Sequence, residues 1–283
     1  MKKIFFKPTN KTIKIWVKSL IPPKDVFFFN DITGIDEIDK NLIGIDKYLQ
    51  KYSSLEYINA YEHWNVKNKA KFCYVDDKNN FLSNDKIRNL TYGQQIDCER
   101  GLILDCDNKE MFSKFKNAFY NNKIILSNYL FSNLTYKDKK ELCVSYAKSI
   151  DDWYGYLTCK IPRHIKKIAN KFVKKDGCNC LSTTIYGATK DKHILNKWLD
   201  DKEFECKLKK LNYKQVKTNV KSNDIIVFKQ DKKIVHACYC VDGELFLNKS
   251  GQTKYNPIVL LPFENILNDW QDCKYYIFRK ESI

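Results

Sequence analysis

The C-terminal half of the chain carries two successive hydrophobic patterns. Apolar residues first recur with helical spacing, which predicts helices at residues 162–174, 180–188, 191–199 and 202–211. Apolar runs and alternations follow, and they predict strands at residues 224–228, 233–241, 244–247, 256–261 and 274–279. The segment 262–270 has the pattern of a short helix. Helices followed by an antiparallel sheet predict an α+β fold for residues 151–283.

Residues 1–150 are predicted to form a separate mixed α/β domain of unknown fold. Segments typical of strands lie at Ile4–Phe6, Ile13–Val17, Val26–Phe29 and Phe72–Val75. Helical spacing is seen at residues 109–121 and 137–148. This part of the chain contains no recognisable catalytic motif, so we expect it to bind substrate or to regulate the C-terminal domain.

Composition narrows the class of protein. Hydrophobic residues make up 43% of the 283 residues, which is enough for a folded core. The formal charge of +16 fits either a solvated lysine surface or a surface that faces polyanions, so nucleic-acid binding stays open as an alternative. Eleven cysteines without a regular spacing indicate reduced thiols.

The location of the protein is predicted from what the chain lacks. Lysine and asparagine residues interrupt the apolar start of the sequence, so it is not a convincing signal peptide. No apolar run is long enough to predict a membrane span. We therefore expect a cytoplasmic protein, or one exported by a route without a cleavable signal peptide.

One cysteine stands where a helix is expected to begin. Residues 176–179 form a predicted turn that ends in a capping Asn179, and Cys180 follows in the first helical turn. A helix N-terminus favours the thiolate, which is the reactive form of cysteine, and its N–H groups bind a developing oxyanion. Cys180 is therefore a candidate nucleophile.

A histidine and an asparagine are positioned to complete the site. His236 lies within a predicted strand, and the hairpin signal Asp242-Gly243 folds the next strand back beside it. Asn248, near the far end of that second strand, should return close to His236. In cysteine hydrolases an imidazole takes the thiol proton, and a third polar group fixes its tautomer. The pattern predicts a Cys180–His236–Asn248 triad that acts through a thioester, without a cofactor.

Three stretches carry a family resemblance: NCLSTTIYG at 179–187, SNDIIVF at 222–228 and HACYCVDGELFLN at 236–248. Together they resemble the NlpC-type cell-wall peptidases and the related CHAP amidases. The resemblance covers residues 155–283 and implies a papain-like fold, with Cys180 as nucleophile, His236 as base and Asn248 as the residue that orients it. It also implies an amide substrate in a peptide or in peptidoglycan.

The chain departs from that family around the motifs. Leu181-Ser182 replaces the usual Ser-Gly after the cysteine, and Ser222-Asn223 stands where a glycine is preferred. The usual Tyr-Pro-Trp-Gly-Gly neighbourhood upstream of the cysteine is absent. These differences leave the triad intact but do not carry over the peptidoglycan substrate. A cysteine-dependent acyltransferase or deamidase, and an inactive papain-fold binding module, remain alternatives.

Simpler interpretations compete for each candidate residue. Cys180 could be a buried apolar residue, with Cys178 as a second candidate nucleophile, and His236 could be a core histidine. Asn248 could be a turn residue. A zinc site could combine His236 with two cysteine pairs, Cys178 with Cys180 and Cys238 with Cys240. Cysteines separated by a single residue chelate zinc poorly, so we expect no metal.

Overall fold

The fold divides into two units. The computed structural model describes residues 1–21, 25–33, 42–51, 70–76, 85–100, 102–105, 109–115 and 118–281. Residues 1–12 and 145–283 form one unit, which we call the C-terminal unit, and residues 13–144 form the other. Both boundaries fall inside helices.

The architecture is mixed α+β, with several antiparallel sheets. The described residues contain ten α-helices: α1 (Asn10–Ser19), α2 (Ile45–Lys51), α3 (Asp85–Asp97), α4 (Lys109–Phe112), α5 (Asn128–Ser132), α6 (Tyr136–Ile150), α7 (Arg163–Ile168), α8 (Cys180–Thr189), α9 (Asp201–Lys210) and α10 (Phe263–Asp269). A 3₁₀ helix, Lys192–Asn196, follows α8.

Fifteen strands are formed by the described residues. Those of the first half are β1 (Lys2–Phe5), β2 (Asp25–Phe29), β3 (Leu42–Gly44), β4 (Phe72–Asp76), β5 (Ile103–Asp105), β6 (Phe119–Tyr120) and β7 (Lys123–Ile125). Those of the second half are β8 (Tyr154–Leu157), β9 (Lys171–Phe172), β10 (Tyr213–Val216), β11 (Ile225–Gln230), β12 (Lys233–Cys240), β13 (Leu245–Asn248), β14 (Pro257–Pro262) and β15 (Lys274–Lys280).

A seven-stranded antiparallel sheet forms the centre of the C-terminal unit, in the order β10-β15-β11-β12-β13-β14-β9. The β11–β12 hairpin turns through Asp231 and Lys232, which both have positive φ, as tight hairpin turns require. Strands β12 and β13 pair only at Tyr239–Leu247 and Cys240–Phe246. They therefore separate on the side where His236 lies, and this opening positions the candidate site.

The two faces of the central sheet are buried by different helices. On one face, Ala237, Tyr239 and Leu247 pack in a core cluster with residues of α8 such as Ile185. On the other face, the alternate residues Phe228, Cys238 and Phe246 pack with Ile266 of α10. Because side chains alternate along a strand, the sheet has no solvent-facing side at its centre, which explains the continuous apolar runs in its sequence.

The N-terminal segment belongs to the C-terminal unit. Strand β1 pairs with β8 from Lys2–Leu157 to Phe5–Tyr154, and the N–H of Phe6 donates to the carbonyl of Trp153. This pairing places residues 1–12 with residues 145–283. The boundary predicted from the sequence lies between residues 150 and 151, because a pattern along the chain does not reveal which distant strand an N-terminal strand will join.

The unit of residues 13–144 contains two three-stranded antiparallel sheets, β2-β4-β3 and β5-β7-β6. The buried side chain of Gln95 in α3 accepts from the N–H of Phe28 at 2.7 Å and donates to its carbonyl at 2.8 Å. Arg100 and Asp25 form a buried ion pair at 3.5 Å. These are contacts between buried groups that stabilise the fold. The described part of the chain contains no helix with the length and apolar character to cross a bilayer.

Most predicted elements of the C-terminal unit are confirmed. All five predicted strands and the helices at 180–188, 202–211 and 262–270 are present, with ends within two residues of the predicted ones. The helix predicted at 162–174 is shorter, because Asn170 adopts a left-handed conformation with φ 56° and the chain then enters β9. The helix predicted at 191–199 is only the 3₁₀ turn Lys192–Asn196.

The N-terminal predictions are less accurate. Strands at Val26–Phe29 and Phe72–Val75 and the helix at 137–148 are confirmed. The strand predicted at Ile13–Val17 is wrong, since these residues lie in α1. Their alternation mimics a strand, but Ile13 and Trp16 are the buried pair, and their three-residue spacing matches a helix. The described residues of the segment 109–121 form the short helix α4 and then β6.

Close packing of α8 on the sheet gives the first prediction. A Cβ at Gly187 would lie 2.6 Å from the ring of Tyr239 and 3.0 Å from its Cβ. Gly187→Ala should therefore destabilise the protein by about 1–3 kcal/mol, although alanine in an open helix position is favourable by up to about 1 kcal/mol. Urea unfolding checks this, and Tyr239→Ala should reduce the cost of the same change. A more stable Gly187→Ala protein would contradict the packing.

Candidate active site

Cys180 is the first residue of α8, and its helix start is strongly capped. The side-chain oxygen of Asn179 accepts from the N–H of Ser182 at 3.0 Å, and the Ser182 hydroxyl accepts from the N–H of Asn179 at 2.9 Å. The Asn179 amide also donates to the carbonyl of Leu199 at 2.8 Å. This capping box leaves the N–H groups of Cys180 and Leu181 directed at the Cys180 sulfur.

His236 and Asn248 meet inside the protein. The imidazole Nε2 lies 2.7 Å from Oδ1 of Asn248, and the two residues are 0% and 1% exposed. An amide oxygen only accepts, so Nε2 carries the hydrogen and Nδ1 bears the lone pair. Within the described residues, Nδ1 is a buried nitrogen without a hydrogen-bond partner. The basic nitrogen of the ring is therefore uncommitted.

Aromatic rings enclose the imidazole. Trp270, just after α10, stacks on His236 with ring centroids 4.6 Å apart and an interplanar angle of 12°, and Phe228 lies 5.7 Å away. This burial lowers the pKa of His236 to about 4, against the opposing effect of the Asn248 hydrogen bond. The imidazole is therefore neutral near pH 7, which is the state that accepts a proton.

The Cys180 sulfur lies at the opening between β12 and β13. The N–H of Cys240 donates to the backbone carbonyl of Asp224, on the β11 side. Because N–H groups alternate in direction along a strand, the N–H of Ala237 is directed toward the β13 side. The ladder with β13 has ended there, and the Ala237 N–H faces the sulfur of Cys180 instead. The sulfur thus faces Ala237 on the α8 side of the sheet, whereas the ring of the neighbouring His236 projects toward the α10 face. The structure does not place the sulfur in hydrogen-bond contact with Nδ1 of His236.

The Cys180 thiol is neutral in this setting. Burial raises its pKa to about 11, although the N–H groups of Ala237 and Leu181 and the charge of Lys249 act in the opposite direction. The position at a helix N-terminus predicts a lowered thiol pKa, and the structure differs. The helix does supply N–H groups, but the cost of desolvating the thiolate exceeds their effect. A partner that accepts the proton is therefore needed to make this sulfur nucleophilic.

Lys249 is a component of the site that sequence reasoning missed. Its side chain is fully buried, and its ammonium donates to the carbonyls of Gly251 and Thr253. Burial lowers its pKa to about 8, against the effects of Cys178 and Asp151. One signal in the sequence could have found it. Side chains alternate along β13, so Lys249, two residues after Leu247, is expected on the same face as Leu247, toward α8.

The segment after Asn248 is tied to the turn before Cys180. Lys254 donates to the carboxylate of Asp176 from its backbone N–H at 2.7 Å and from its ammonium at 2.9 Å. The N–H of Gly177 donates to the carbonyl of Gln252 at 3.0 Å. These contacts link the loop that follows Asn248 to the turn that precedes Cys180.

The other candidate residues have structural roles. Cys178 is 1% exposed, and its sulfur lies 3.2 Å from the hydroxyl of Thr183, so it supports the helix start. Cys238 and Cys240 belong to the apolar cluster beneath α10. In the part of the chain that the structure describes, no group of three or more His, Cys, Asp or Glu side chains is arranged to hold a metal ion.

Comparisons with protein-family models, curated proteins and solved structures give no match. The function is therefore inferred from the geometry of the site itself.

A cleft of about 400 Å³ opens beside the stacked rings. It is lined by Trp270, by Ser250 just past Asn248, and by Asp151 and Tyr154. Burial raises the pKa of Asp151 to about 6, although a hydrogen bond from Asn256 lowers it. Trp270 is the member of the stacked pair that lines the cleft, and neither His236 nor Cys180 does. Sequence reasoning missed Trp270, because its position after a short helix carries no pattern.

The lowered pKa of His236 predicts a stability change with pH. Its value falls from 6.5 to about 4 on folding, so the unfolded chain binds more protons between these values. Wild-type protein should therefore lose about 3 kcal/mol of stability relative to His236→Gln as the pH falls from 6.5 to 4. Urea unfolding of both proteins across this range measures the difference.

The comparison with His236→Gln cancels the contributions of other titrating groups to the pH dependence of stability. The raised pKa of Asp151, from 3.8 to about 6, acts with the opposite sign, because it makes stability fall as the pH rises over that interval. Asp151 is present in both proteins, so it cancels in the difference. A difference in unfolding free energy that stays constant between pH 6.5 and 4 would contradict the buried neutral imidazole.

Proposed function

We propose that the protein is a thiol-dependent amide hydrolase in which Cys180, His236 and Asn248 act as a catalytic triad. The observation that carries the proposal is the buried Nε2–Oδ1 hydrogen bond of 2.7 Å, which leaves Nδ1 of His236 as an unpaired base. A buried polar atom without a partner costs about 1–3 kcal/mol, and such costs are typical of functional sites. A papain-like fold for residues 151–283 is part of the proposal.

Acylation begins with a proton transfer. In the proposed step the Cys180 thiol gives its proton to Nδ1 of His236, and the thiolate attacks the carbonyl carbon of the amide. The two side chains lie on opposite faces of the sheet in this structure, so the step requires a movement that brings them into contact. The resulting imidazolium then donates the proton to the leaving nitrogen, the carbon–nitrogen bond breaks, and a thioester on Cys180 remains. Because burial raises the pKa of the Cys180 thiol to about 11, a base is essential for this step near pH 7.

Deacylation uses the same base. Once the amine product leaves, Nδ1 takes a proton from water, and the hydroxide attacks the thioester carbonyl. Collapse of that intermediate breaks the carbon–sulfur bond, and the imidazolium returns the proton to the sulfur. Asn248 holds the ring through Nε2 in both half-reactions, so the same nitrogen faces the reacting atoms throughout.

The start of α8 supplies the charge stabilisation. Asn179 already caps the N–H of Ser182, whereas the N–H groups of Cys180 and Leu181 converge on the sulfur. When the sulfur is bonded to a tetrahedral carbon, the oxyanion lies next to these donors. Backbone donors of this kind lower the barrier by about 3–4 kcal/mol in characterised hydrolases.

The substrate class proposed is an amide in a peptide or a peptidoglycan stem peptide. The same chemistry supports two other outcomes, an acyltransferase that passes the thioester to an amine and a deamidase that releases ammonia. An inactive module that retains the fold is a further alternative. The uncommitted Nδ1 favours an active site over that module, because a binding role gives no reason to leave a buried base unpaired.

Thiol reactivity gives the direct test. At pH 7, iodoacetamide should alkylate Cys180 at least about tenfold faster than the exposed Cys159 and Cys206, although Cys180 is only partly exposed. In His236→Gln this advantage of Cys180 should be lost, because the base that takes the thiol proton is then absent. Mass spectrometry of the alkylated peptides measures all rates in one sample.

Cys178→Ala is the matched control, since it removes a neighbouring buried thiol and should leave the order unchanged. Equal rates at Cys180 in the wild-type and His236→Gln proteins would contradict the triad. An ester such as p-nitrophenyl acetate separates the alternatives: an inactive module leaves no acetyl group on Cys180. A hydrolase turns over in water, and an acyltransferase turns over only with an added amine.

A further inference from the structure

A second cleft lies at the far end of α8 from Cys180. It has a volume of about 1,210 Å³ and is bounded by the start of α7, the end of α8, the loop before β11 and the end of β15. None of the triad residues lines it. Cys180 begins α8 and Ala188 reaches the cleft, so about 12 Å of helix separates the two sites.

The cleft is enriched in positive charge beyond the composition of the chain. Seven of its 18 lining residues are lysine or arginine. In the whole chain 50 of 283 residues are lysine or arginine, so their share in the cleft is about twice as high. The enrichment argues against a random sample of a lysine-rich surface. A concave surface with charge of one sign also concentrates the field.

The acidic lining residues are already paired. Asp224 is buried and accepts from Arg279 through both carboxylate oxygens, at 2.8 and 2.7 Å. Glu281 forms an ion pair with Lys214 at 2.8 Å. Arg279 is therefore neutralised together with Asp224, and neither acid is available to compensate the remaining cations of the cleft.

Six cationic side chains form no ion pair with any described residue of the chain. They come from four separate segments and are Arg163, Lys167, Lys190, Lys192, Lys221 and Lys280. All six are exposed. Like charges around one cleft repel each other, and an anionic ligand would relieve that repulsion. The carboxylate of Asp191, between two of these lysines in sequence, caps the N–H of His193 at 2.9 Å.

We infer that this cleft, through its six unpaired cations, binds the phosphate backbone of single-stranded nucleic acid. Pockets for one drug-sized ligand have volumes of roughly 300–1,000 Å³, so this cleft takes a short run of chain rather than a single small anion. The proposal is independent of the hydrolase proposal, because none of the six cations contacts the triad.

The lining of the cleft suits contact with a phosphate backbone rather than with bases. Five of the six free cations are lysines, which bind phosphate oxygens as point charges, without the bidentate geometry of arginine. The tyrosines of the lining are buried and donate their hydroxyls within the protein: Tyr186 to His164, and Tyr213 and Tyr239 to Asn223. They offer no ring faces for base stacking, so binding should show little base preference.

The test is fluorescence anisotropy of a labelled ten-nucleotide oligothymidylate with the full chain. We expect binding at about 50 mM salt that weakens roughly 100-fold or more by about 200 mM, as several phosphate contacts require. The triple variant K167E/K192E/K221E should bind at least about tenfold more weakly and show a shallower salt dependence. C180A should bind like the wild-type protein.

The matched control is K166E/K202E/K209E. It changes three exposed lysines of the same unit, outside the cleft, and it alters the net charge by the same amount. Unfolding midpoints of both variants verify that the fold is kept. Full affinity in the control, together with the loss in the cleft variant, is the expected result.

Three results would overturn the inference. The first is no binding at about 50 mM salt, and the second is an equal loss in both triple variants, which would indicate diffuse attraction by the lysine-rich surface. The third is competition by decaglutamate as effective as that by unlabelled oligothymidylate, which would assign the cleft to carboxylate polymers. Each result leaves the hydrolase proposal unaffected, since that proposal depends on Cys180 reactivity.

Discussion

The buried hydrogen bond between His236 and Asn248 is the interaction on which the site depends. It uses Nε2 of the ring, and it therefore determines that Nδ1 is the basic nitrogen. The stacked Trp270 excludes water from this bond and keeps the ring neutral. The Cys180 thiol, with its raised pKa, requires such a base. Each group is thus poorly suited to act alone, and the proposed chemistry requires both.

The surrounding elements of the C-terminal unit position Cys180 beside β12. Helix α8 lies close to β12 because Gly187 has no side chain where Tyr239 packs. The separation of β12 and β13 beyond Tyr239 frees the N–H of Ala237 for the Cys180 sulfur. Buried Lys249 donates to the loop that follows Asn248 and contributes positive charge near the thiol. Backbone geometry and a few buried polar contacts therefore determine the site.

Sequence patterns were sufficient where local and tertiary preferences agree. The strands of the central sheet are apolar on both faces, so their runs are unmistakable, and Asn179 gives a reliable helix start. The pairing of His236 with Asn248 follows from the hairpin between them. In contrast, Ile13–Val17 has the alternation of a strand, but the burial of Ile13 and Trp16 favours a helix. Effects of burial, such as the raised pKa of Cys180, require the three-dimensional packing and are not visible in a pattern.

The state of the His236 ring nitrogens tests the central claim most directly. Long-range proton–nitrogen NMR correlations on protein labelled with ¹⁵N-histidine report which nitrogen is protonated, and His236→Gln identifies the signal among the four histidines. At pH 7 the account predicts a protonated Nε2 and an unprotonated Nδ1, with the ring staying neutral down to a pH of about 4. A hydrogen on Nδ1 with a bare Nε2, or an imidazolium at pH 7, would contradict it.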